Sequence, residues 1–206
     1  MQQKVFIVDD DPAIRDGLAE LLCAVGFRVE AFASGEAFLA AYSHERRGCL
    51  LLDISMPGLS GLQVQTELNA RGLDIPVVFL SAHGDIALAV EAMRAGALDF
   101  MEKPVSGNTL IKRVNEALHL DRERHRAKVG NEDLLARRKR LTPREREVMA
   151  LVVAGLSSKA IARELGLSHR TIEVHRTHIM QKMGAQNVPE LVKLAARLNS
   201  EPQFQE

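Results

Sequence analysis

Carboxylates, one hydroxyl and one ammonium group follow short apolar segments in the first half of the chain. They belong to Asp9, Asp10, Asp11, Asp53, Ser81 and Lys103. An oxygen-only ligand set without His or Cys favours a hard cation, and Mg²⁺ is the first candidate. Such a site beside a lysine and a serine could bind a phosphoryl group. Asp53 could then be the nucleophile, because carboxylates form aspartyl-phosphates.

Each of these residues has a simpler interpretation when it is taken alone. Acidic residues that follow a strand, such as Asp9 and Asp10, are often helix N-caps. Ser81 could cap the next helix, and Lys103-Pro104 could be an ordinary turn. The site hypothesis therefore depends on a fold that brings these side chains together.

The elements that would position them alternate in type along residues 1–120. Short apolar segments occupy residues 4–8, 28–32, 49–52, 77–80 and 97–101. Segments with a helical spacing of apolar residues lie between them. This alternation predicts an α/β fold with a parallel, doubly wound sheet, in which the second segment is an edge strand. A flavodoxin-like (βα)5 fold with strand order 2-1-3-4-5 would bring the reactive groups to one crevice at the carboxyl ends of the strands.

The formal net charge of zero is the sum of two opposed halves. Residues 1–120 contain 10 Lys and Arg against 16 Asp and Glu, a net charge of −6. Residues 121–206 contain 17 against 11, a net charge of +6. This division indicates two domains with different partners. The acidic half is a candidate for a cation site, and the basic half is a candidate for a polyanion surface.

The composition is that of a globular protein. Apolar residues make up 46% of the chain and charged residues 26%, which argues against a largely disordered protein. No apolar run approaches the roughly 20 residues that cross a bilayer. We expect no signal peptide, no membrane contact and a cytoplasmic location. We also expect Cys23 and Cys49 to pack in the hydrophobic core as free thiols.

Signals for four helices follow one another in the basic half. Thr142 is predicted to cap the first helix, with Glu145 completing a capping box. Ser157 and Ser168 are predicted to cap the next two helices, which are separated by a tight turn at Gly166. Two helices joined by a short glycine-containing turn, within an all-α four-helix unit, are typical of a helix-turn-helix.

The third of these helices has two distinct faces, at about 100° per residue. The residues assigned to the core are Ile172, Ile179 and Met183. The opposite face carries Glu173, Val174 and Thr177, which are candidates to contact a cytosine amino group, a thymine methyl group, and a base or the backbone, respectively. Cations predicted to contact DNA phosphates are Lys159, Arg170, Arg176, His178 and Lys182. The alternative is an ordinary solvated helix face.

Motifs across residues 4–120 resemble the receiver domain of bacterial two-component response regulators. The matching stretches are Val8-Asp9-Asp10-Asp11-Pro12, Leu52-Asp53-Ile54-Ser55-Met56-Pro57-Gly58, Ser81-Ala82-His83-Gly84-Asp85, Ala95-Gly96-Ala97 and Lys103-Pro104. The resemblance implies that Asp53 accepts a phosphoryl group from a phosphohistidine of a sensor histidine kinase.

The same resemblance implies a ligand set and a switch. Asp10, Asp53 and the main-chain carbonyl of Ser55 would bind Mg²⁺, and Asp9 would bind it through water. Asp11 is not among the direct ligands that the family leads us to expect. The residues that match the phosphoryl-binding and switch positions are Ser81, Phe100 and Lys103. A phenylalanine at position 100 donates no hydrogen bond, so a switch there would act through packing.

Residues 141–198 resemble the LuxR-type DNA-binding domain. The matching stretches are Leu141-Thr142-Pro143-Arg144-Glu145-Arg146-Glu147-Val148, Ile161-Ala162-Arg163-Glu164-Leu165-Gly166 and Thr171-Ile172-Glu173-Val174-His175-Arg176. By this resemblance Glu173, Val174 and Thr177 occupy base-reading positions, and the last helix is a dimer contact on DNA. The family often has lysine where this chain has Glu173. Together, the two domains resemble response regulators of the FixJ/NarL class, and His83-Gly84-Asp85 favours the FixJ side.

The predicted organisation has four parts. A receiver domain at residues 1–120 precedes a charged, partly helical linker at 121–140, with a break at Gly130-Asn131. A LuxR-type helix-turn-helix domain at 141–199 follows, and residues 200–206 form a tail.

These observations lead to the hypothesis of a phosphorylation-dependent transcription regulator. Its expected partners are a sensor histidine kinase, double-stranded DNA and a second copy of the chain on activation or on DNA, with RNA polymerase as a further candidate. The protein would promote its own phosphorylation and dephosphorylation, without turnover of a separate substrate.

Two other functions remain as alternatives. Haloacid-dehalogenase-like phosphatases also use an Asp nucleophile with Mg²⁺, but they need a second Asp two positions later, where this chain has Ser55. The other alternative is a receiver that acts only through protein contacts, with its helical domain as an adaptor. Binding to duplex DNA that is absent or insensitive to salt would favour that alternative.

Overall fold

The computed structural model describes residues 2–82 and 84–199, and the chain forms two compact units that divide between Arg124 and His125. The elements up to the end of the sheet are β1 (Lys4–Val8), α1 (Pro12–Ala24), β2 (Val29–Phe32), α2 (Gly35–Ala41), β3 (Gly48–Asp53), α3 (Gly61–Ala70), β4 (Val77–Ser81), α4 (Ile86–Arg94) and β5 (Asp99–Glu102). They are followed by α5 (Gly107–Lys139), α6 (Pro143–Val153), α7 (Ser158–Glu164), α8 (His169–Met183) and α9 (Val188–Asn199). The predictions for His83 and for the tail at 200–206 fall outside the described residues.

The five strands form one parallel sheet in the order β2-β1-β3-β4-β5. β1, β3 and β4 are central and almost wholly buried, as their continuous apolar sequences predict, whereas β2 lies at an edge. The predicted α/β class and strand order are confirmed.

Alternate residues of the central strands point to opposite faces of the sheet, so the N-terminal unit has two cores. Phe6 and Leu50 pack on the face that also contains Phe38 of α2. Val5 and Leu51 pack on the other face, which also contains residues of α1 and α5. Helices on both faces therefore fix the sheet as a rigid base for the loops at its carboxyl edge.

The clearest differences from prediction in this unit concern β5 and Cys23, since the ends of the other strands shift by at most one residue. β5 begins at Asp99 rather than at residue 97, because the amide of Ala97 donates to the carbonyl of Ala92 and so closes the end of α4. Cys49 is buried in β3 as expected, but the expectation for Cys23 was wrong, since it is exposed on α1. The neighbouring Leu22 takes the buried position of that helical turn.

The predicted break at Gly130-Asn131 was also wrong, because α5 continues through both residues to Lys139. A glycine inside a helix costs only about 1 kcal/mol relative to alanine, which tertiary contacts can offset. Leu134, one turn later, is buried in the core of the C-terminal unit. Arg197 of α9 donates to the side-chain oxygen of Asn131 at 3.1 Å.

Three helices of the C-terminal unit begin at the predicted caps, and α9 begins at Val188, one residue before the predicted Pro189. Thr142 and Glu145 form a complete capping box at the start of α6. Ser157 caps α7 and Ser168 caps α8. α8 ends at Gly184, whose φ of 71° favours glycine. The all-α helix-turn-helix architecture is therefore confirmed.

None of the helices formed by residues 2–82 and 84–199 combines the length and the apolar character that are needed to cross a bilayer.

Candidate functional site

Four predicted site residues lie at the carboxyl edge of the sheet. Asp9 directly follows β1, Asp53 is the last residue of β3, Ser81 is the last residue of β4, and Lys103 directly follows β5. Parallel strands end on the same edge, so the strand order brings these positions together although they are far apart in the chain.

The ammonium group of Lys103 joins two buried carboxylates. Its Nζ atom donates to Oδ2 of Asp9 at 2.7 Å, and it also donates to Oδ1 of Asp53. Asp9 is 2% exposed and Asp53 is 5% exposed. Because buried carboxylates repel one another, an ammonium group shared between them offsets that repulsion at this edge of the sheet.

Main-chain amides hold the other oxygen of each carboxylate. Oδ2 of Asp53 accepts a hydrogen bond from the amide of Ser55 at 2.7 Å. Oδ1 of Asp9 accepts from the amide of Asp11 at 3.0 Å. Each carboxylate is therefore fixed between an ammonium group and an amide, which sets its orientation.

Burial and ion pairing shift the pKa values of Asp53 and Lys103 in opposite directions. Burial raises the pKa of Asp53 above its ordinary value, although the hydrogen bond from Lys103 opposes that effect. Burial lowers the pKa of Lys103, but its hydrogen bonds to Asp53 and Asp9 outweigh burial, so its pKa is raised. The arrangement pairs a basic carboxylate with a firmly protonated lysine.

The remaining predicted residues of this site take different positions. Asp10 is exposed, whereas Asp11 is the N-cap of α1 and accepts from the amide of Ala13. Ser81 is buried at the end of β4, and it is not a helix cap, since Asp85 caps α4. Phe100 of β5 is half-buried and packs against the core of one sheet face.

One cation near the site was missed from the sequence. Nη1 of Arg15 donates to the main-chain carbonyl of Asp9 at 2.7 Å. Arg15 lies near the start of α1, which begins at this edge of the sheet. The sequence feature that could have indicated this contact is the position of Arg15, a basic residue only six positions after Asp9.

The donor set suits a hard divalent cation. Among the described residues, no group of three or more His, Cys, Asp or Glu side chains is arranged to hold a metal ion. The two buried carboxylates nevertheless offer only oxygen ligands, and they already share one cation, Lys103. These residues fit Mg²⁺ by the chemistry of their oxygens.

The C-terminal unit presents the predicted base-reading stripe on α8. Glu173, Val174 and Thr177 are all exposed, and 48% of Val174 is accessible. The hydroxyl of Thr177 donates to the carbonyl of Glu173 at 3.0 Å, so its oxygen is left to accept from a partner. The core face of α8 is buried, as its spacing predicts.

The predicted phosphate-contacting cations differ in their surroundings. Lys159, Arg170 and His178 are exposed, and Arg176 is half-buried. Lys182 instead donates to both carboxylate oxygens of Glu145, at 2.8 and 2.6 Å. The sequence indicated Glu145 only as part of a helix cap, and this second partner could not be seen from spacing alone.

Fold and site together define a class of protein: a receiver-type α/β domain followed by a helix-turn-helix domain. Residues 5–115 match the family model of the response regulator receiver domain. Residues 139–195 match the model of bacterial regulatory proteins of the luxR family.

Full-length relatives share both parts. The chain is 42% identical to the transcriptional regulatory protein FixJ of Bradyrhizobium diazoefficiens over 193 residues, which cover 94% of each protein. It is 41% identical to the transcriptional regulatory protein TdiR of Thauera aromatica, over 95% of this chain and 86% of that protein. The solved structure of the response regulator StyR superposes with a TM-score of 0.86 at 42% identity, covering 96% of this chain and 100% of that chain. The chain therefore belongs to the two-component response regulators that carry a LuxR-type DNA-binding domain.

Proposed function

We propose that the protein is a transcription regulator whose DNA binding is controlled by phosphorylation of Asp53. The observation that carries this proposal is the contact of one lysine, Lys103, with two buried carboxylates at the carboxyl edge of the sheet. Asp53 is fixed by Lys103 on one oxygen and by the Ser55 amide on the other. A carboxylate held in this way is oriented for attack on a phosphoryl group that enters from the open edge.

The proposed transfer is a single displacement at phosphorus. A carboxylate oxygen of Asp53 forms a bond to phosphorus while the bond to the imidazole nitrogen of a sensor kinase phosphohistidine breaks. The electron pair of the broken bond stays on the imidazole. The ammonium group of Lys103 can then donate hydrogen bonds to the new phosphoryl oxygens and neutralise part of their charge.

Mg²⁺ is the proposed cofactor of this step. Asp10, Asp53 and the Ser55 carbonyl would hold it directly, and Asp9 would hold it through water. When bound, the ion neutralises charge on the phosphoryl oxygens. The oxygen-only donor set at the edge of the sheet supports this choice.

The switch would run from the acceptor to the surface of α4 and β5. A phosphoryl group on Asp53 offers acceptors to the buried hydroxyl of Ser81, and the movement lets Phe100 repack. An exposed apolar groove borders Phe100, lined by Ile86, Val90 and Met93 of α4. We propose that this surface forms the homodimer of the active protein.

The DNA-binding part rests on α8. Glu173, Val174 and Thr177 would contact base edges in the major groove. The phosphate contacts would come from Lys159, Arg170, Arg176 and His178. Pairing of two chains would place two recognition helices on two half-sites. Since such a regulator acts on the chromosome, we propose a cytoplasmic location, with RNA polymerase as a further candidate partner.

Phosphorylation with acetyl phosphate and Mg²⁺ tests the acceptor directly. The full-length protein should gain one phosphoryl group, and borohydride trapping with peptide mass spectrometry should locate it at Asp53. Asp53→Asn should take up none at this position, and Asp10→Asn should slow the uptake. Phosphorylation of Asp53→Asn at the wild-type rate would refute the assignment.

Measurement of catalytic turnover tests the proposal that no separate substrate is processed. The protein should hydrolyse its own phosphoryl group slowly and should leave p-nitrophenyl phosphate essentially untouched, because Ser55 cannot serve as a general acid. Sustained hydrolysis that depends on Asp53 would favour a phosphatase instead.

A further inference from the structure

We infer that Glu145 is a positioning residue for the recognition helix, and that Lys182 is its internal partner rather than a phosphate contact. The inference deepens the proposed DNA-binding function and rests on it. Its basis is a buried carboxylate in α6 whose ammonium partner, Lys182, lies on α8.

Glu145 is the kind of residue that is seldom buried without a partner. It is 3% exposed, although it is charged and lies in the first turn of α6. A buried carboxylate is costly unless it is both paired and hydrogen-bonded. The contacts of this side chain therefore determine which parts of the unit must stay together.

Those contacts join the start of α6 to the second half of α8. Oε2 accepts from the amide of Thr142 at 2.8 Å, which completes the capping box. The same carboxylate accepts from Nζ of Lys182 at 2.6 and 2.8 Å. Nδ1 of His178 lies 3.9 Å from Oε1. Residues 178 and 182 are one turn apart, so both lie on the side of α8 that faces Glu145.

This ion pair lies beside the base-reading stripe. On an ideal helix Lys182 is about 80° from Val174, between the stripe and the buried face. Movement of the Glu145–Lys182 ion pair would rotate or shift α8, and with it the exposed Val174 and Thr177, relative to the major groove of bound DNA. Glu145 thus holds α8 in position from within the unit, while Val174 and Thr177 remain exposed.

Glu145 and a DNA phosphate would compete for the ammonium group of Lys182, and the contacts favour Glu145. If a phosphate drew Lys182 away, Glu145 would lose its ammonium partner and would keep the hydrogen bond from the amide of Thr142. The free-energy penalty of an unpaired buried charge exceeds the gain from one solvent-exposed ionic interaction. We therefore expect Lys182 to stay with Glu145 in the complex, which leaves exposed cations such as Lys159 for the phosphates.

The salt dependence of DNA binding distinguishes the two roles of a lysine. Affinity of the full-length protein would be measured for a labelled pool of random-sequence 30-base-pair duplexes between about 50 and 200 mM salt. Lys159→Met serves as the matched control and should reduce the slope of log K against log salt by about 0.9, because one phosphate is no longer neutralised. Lys182→Met should keep the wild-type slope but bind roughly tenfold more weakly at every salt concentration.

Glu145→Gln gives a change of the opposite sign. It leaves Lys182 without a charged partner, so the lysine becomes free to meet a phosphate and the slope should become steeper by up to about 0.9. Lys182→Arg should restore affinity, because a guanidinium can still pair with Glu145. Amide exchange should quicken in α8 for Lys182→Met and Glu145→Gln, and not for Lys159→Met.

Two results would overturn the inference. One is a slope for Lys182→Met that falls as much as that of Lys159→Met. The other is unchanged amide exchange in α8 for both Lys182→Met and Glu145→Gln. If Lys182→Met does not fold, the double variant Glu145→Gln/Lys182→Met, which leaves no unpaired charge, should fold and keep the wild-type slope. If the wild type shows no salt-dependent binding at all, the proposed function fails, while the exchange of α8 still tests the role of Glu145.

Discussion

Single residues at the carboxyl edge of the sheet perform the proposed chemistry because they are buried and share one cation. Asp9 and Asp53 are held in place by Lys103 and by main-chain amides. Removing a shared cation should therefore affect stability as well as phosphoryl uptake. This dependence gives a prediction that does not require a kinase.

Lys103→Met should lower the free energy of unfolding of the N-terminal unit by about 3 kcal/mol, because two buried carboxylates would be left without their cation. Mg²⁺ should recover part of this stability, and Na⁺ at equal ionic strength should not. Urea unfolding followed by the fluorescence of Tyr42 reports on this unit, since Tyr42 is the only tyrosine and the chain has no tryptophan. The exposed Lys112→Met is the control and should change stability by less than about 0.5 kcal/mol. Equal destabilisation by both variants would contradict the shared-cation account.

Glu145 gives a pH-dependent prediction in the C-terminal unit. Burial tends to raise its pKa, but the hydrogen bond from Lys182 outweighs burial, so the pKa lies below its ordinary value of 4.5. A carboxyl whose pKa is depressed by folding adds stability above the unfolded pKa and loses it as the pH falls through the folded value. At pH 7 the free energy of unfolding of the C-terminal unit should be larger in the wild type than in Glu145→Gln. This difference should shrink as the pH falls below the ordinary pKa of 4.5 and through the lower pKa of the folded state. Methyl NMR signals of Ile161 and Ile172 would follow unfolding, and a difference independent of pH would refute the pairing.

Elements set the geometry through close packing at a few positions. Gly61 begins α3 directly behind Asp53, and a Cβ placed there would lie 2.3 Å from the main-chain oxygen of Asp53. Gly17, in the middle of α1, has no atom within 4 Å of such a Cβ. The two glycines therefore differ in what they do for the fold.

Gly61→Ala should destabilise the N-terminal unit by about 2 kcal/mol or more, and it should slow phosphoryl uptake because the Asp53 backbone must shift. Gly17→Ala should stabilise the same unit by about 0.5–1 kcal/mol, since alanine is the better helix former. Urea unfolding with acetyl phosphate uptake would measure both effects. Similar behaviour of the two variants would contradict this packing.

The sequence predicted the elements well where one local signal dominated. The apolar strands, the capping box at Thr142 and the core face of α8 were all confirmed. It failed at Gly130, because contacts made by Leu134 and Arg197 override a weak helix former. It also missed the partnership of Glu145 with Lys182, because no spacing rule relates residues on different helices. The convergence of Asp9, Asp53 and Lys103 was predicted from the strand order and from the resemblance to receiver domains, because no local signal relates these three positions.

At the scale of the whole molecule, the opposite net charges of the two halves indicate two different binding partners. The exposed apolar surface of α4 indicates a further contact surface. Ile86 is 79% exposed on α4, beside the groove at Phe100. An exposed apolar side chain in such a groove is typical of a surface that is covered on association. The proposed activation therefore requires two chains.

Ile86→Asp should prevent dimerisation of the protein treated with beryllofluoride and Mg²⁺, because a buried unpaired charge would enter the contact. Val25→Asp is the matched control, since Val25 is 49% exposed at the end of α1, outside the groove. Sedimentation velocity would show dimers for the wild type and the control, and monomers for Ile86→Asp. Dimers of Ile86→Asp at the same concentration would reject this surface.

The central claim is that phosphorylation of Asp53 controls DNA binding by the C-terminal unit. The most direct measurement first selects a bound sequence from random 30-base-pair duplexes. The affinity of the full-length protein for that duplex is then measured with and without beryllofluoride and Mg²⁺, in the wild type and in Asp53→Asn. The account predicts at least about tenfold tighter binding for the treated wild type, a coupling of roughly 1.4 kcal/mol, and no change for Asp53→Asn. Equal affinities of the treated and untreated wild type, or the same gain in Asp53→Asn, would contradict it.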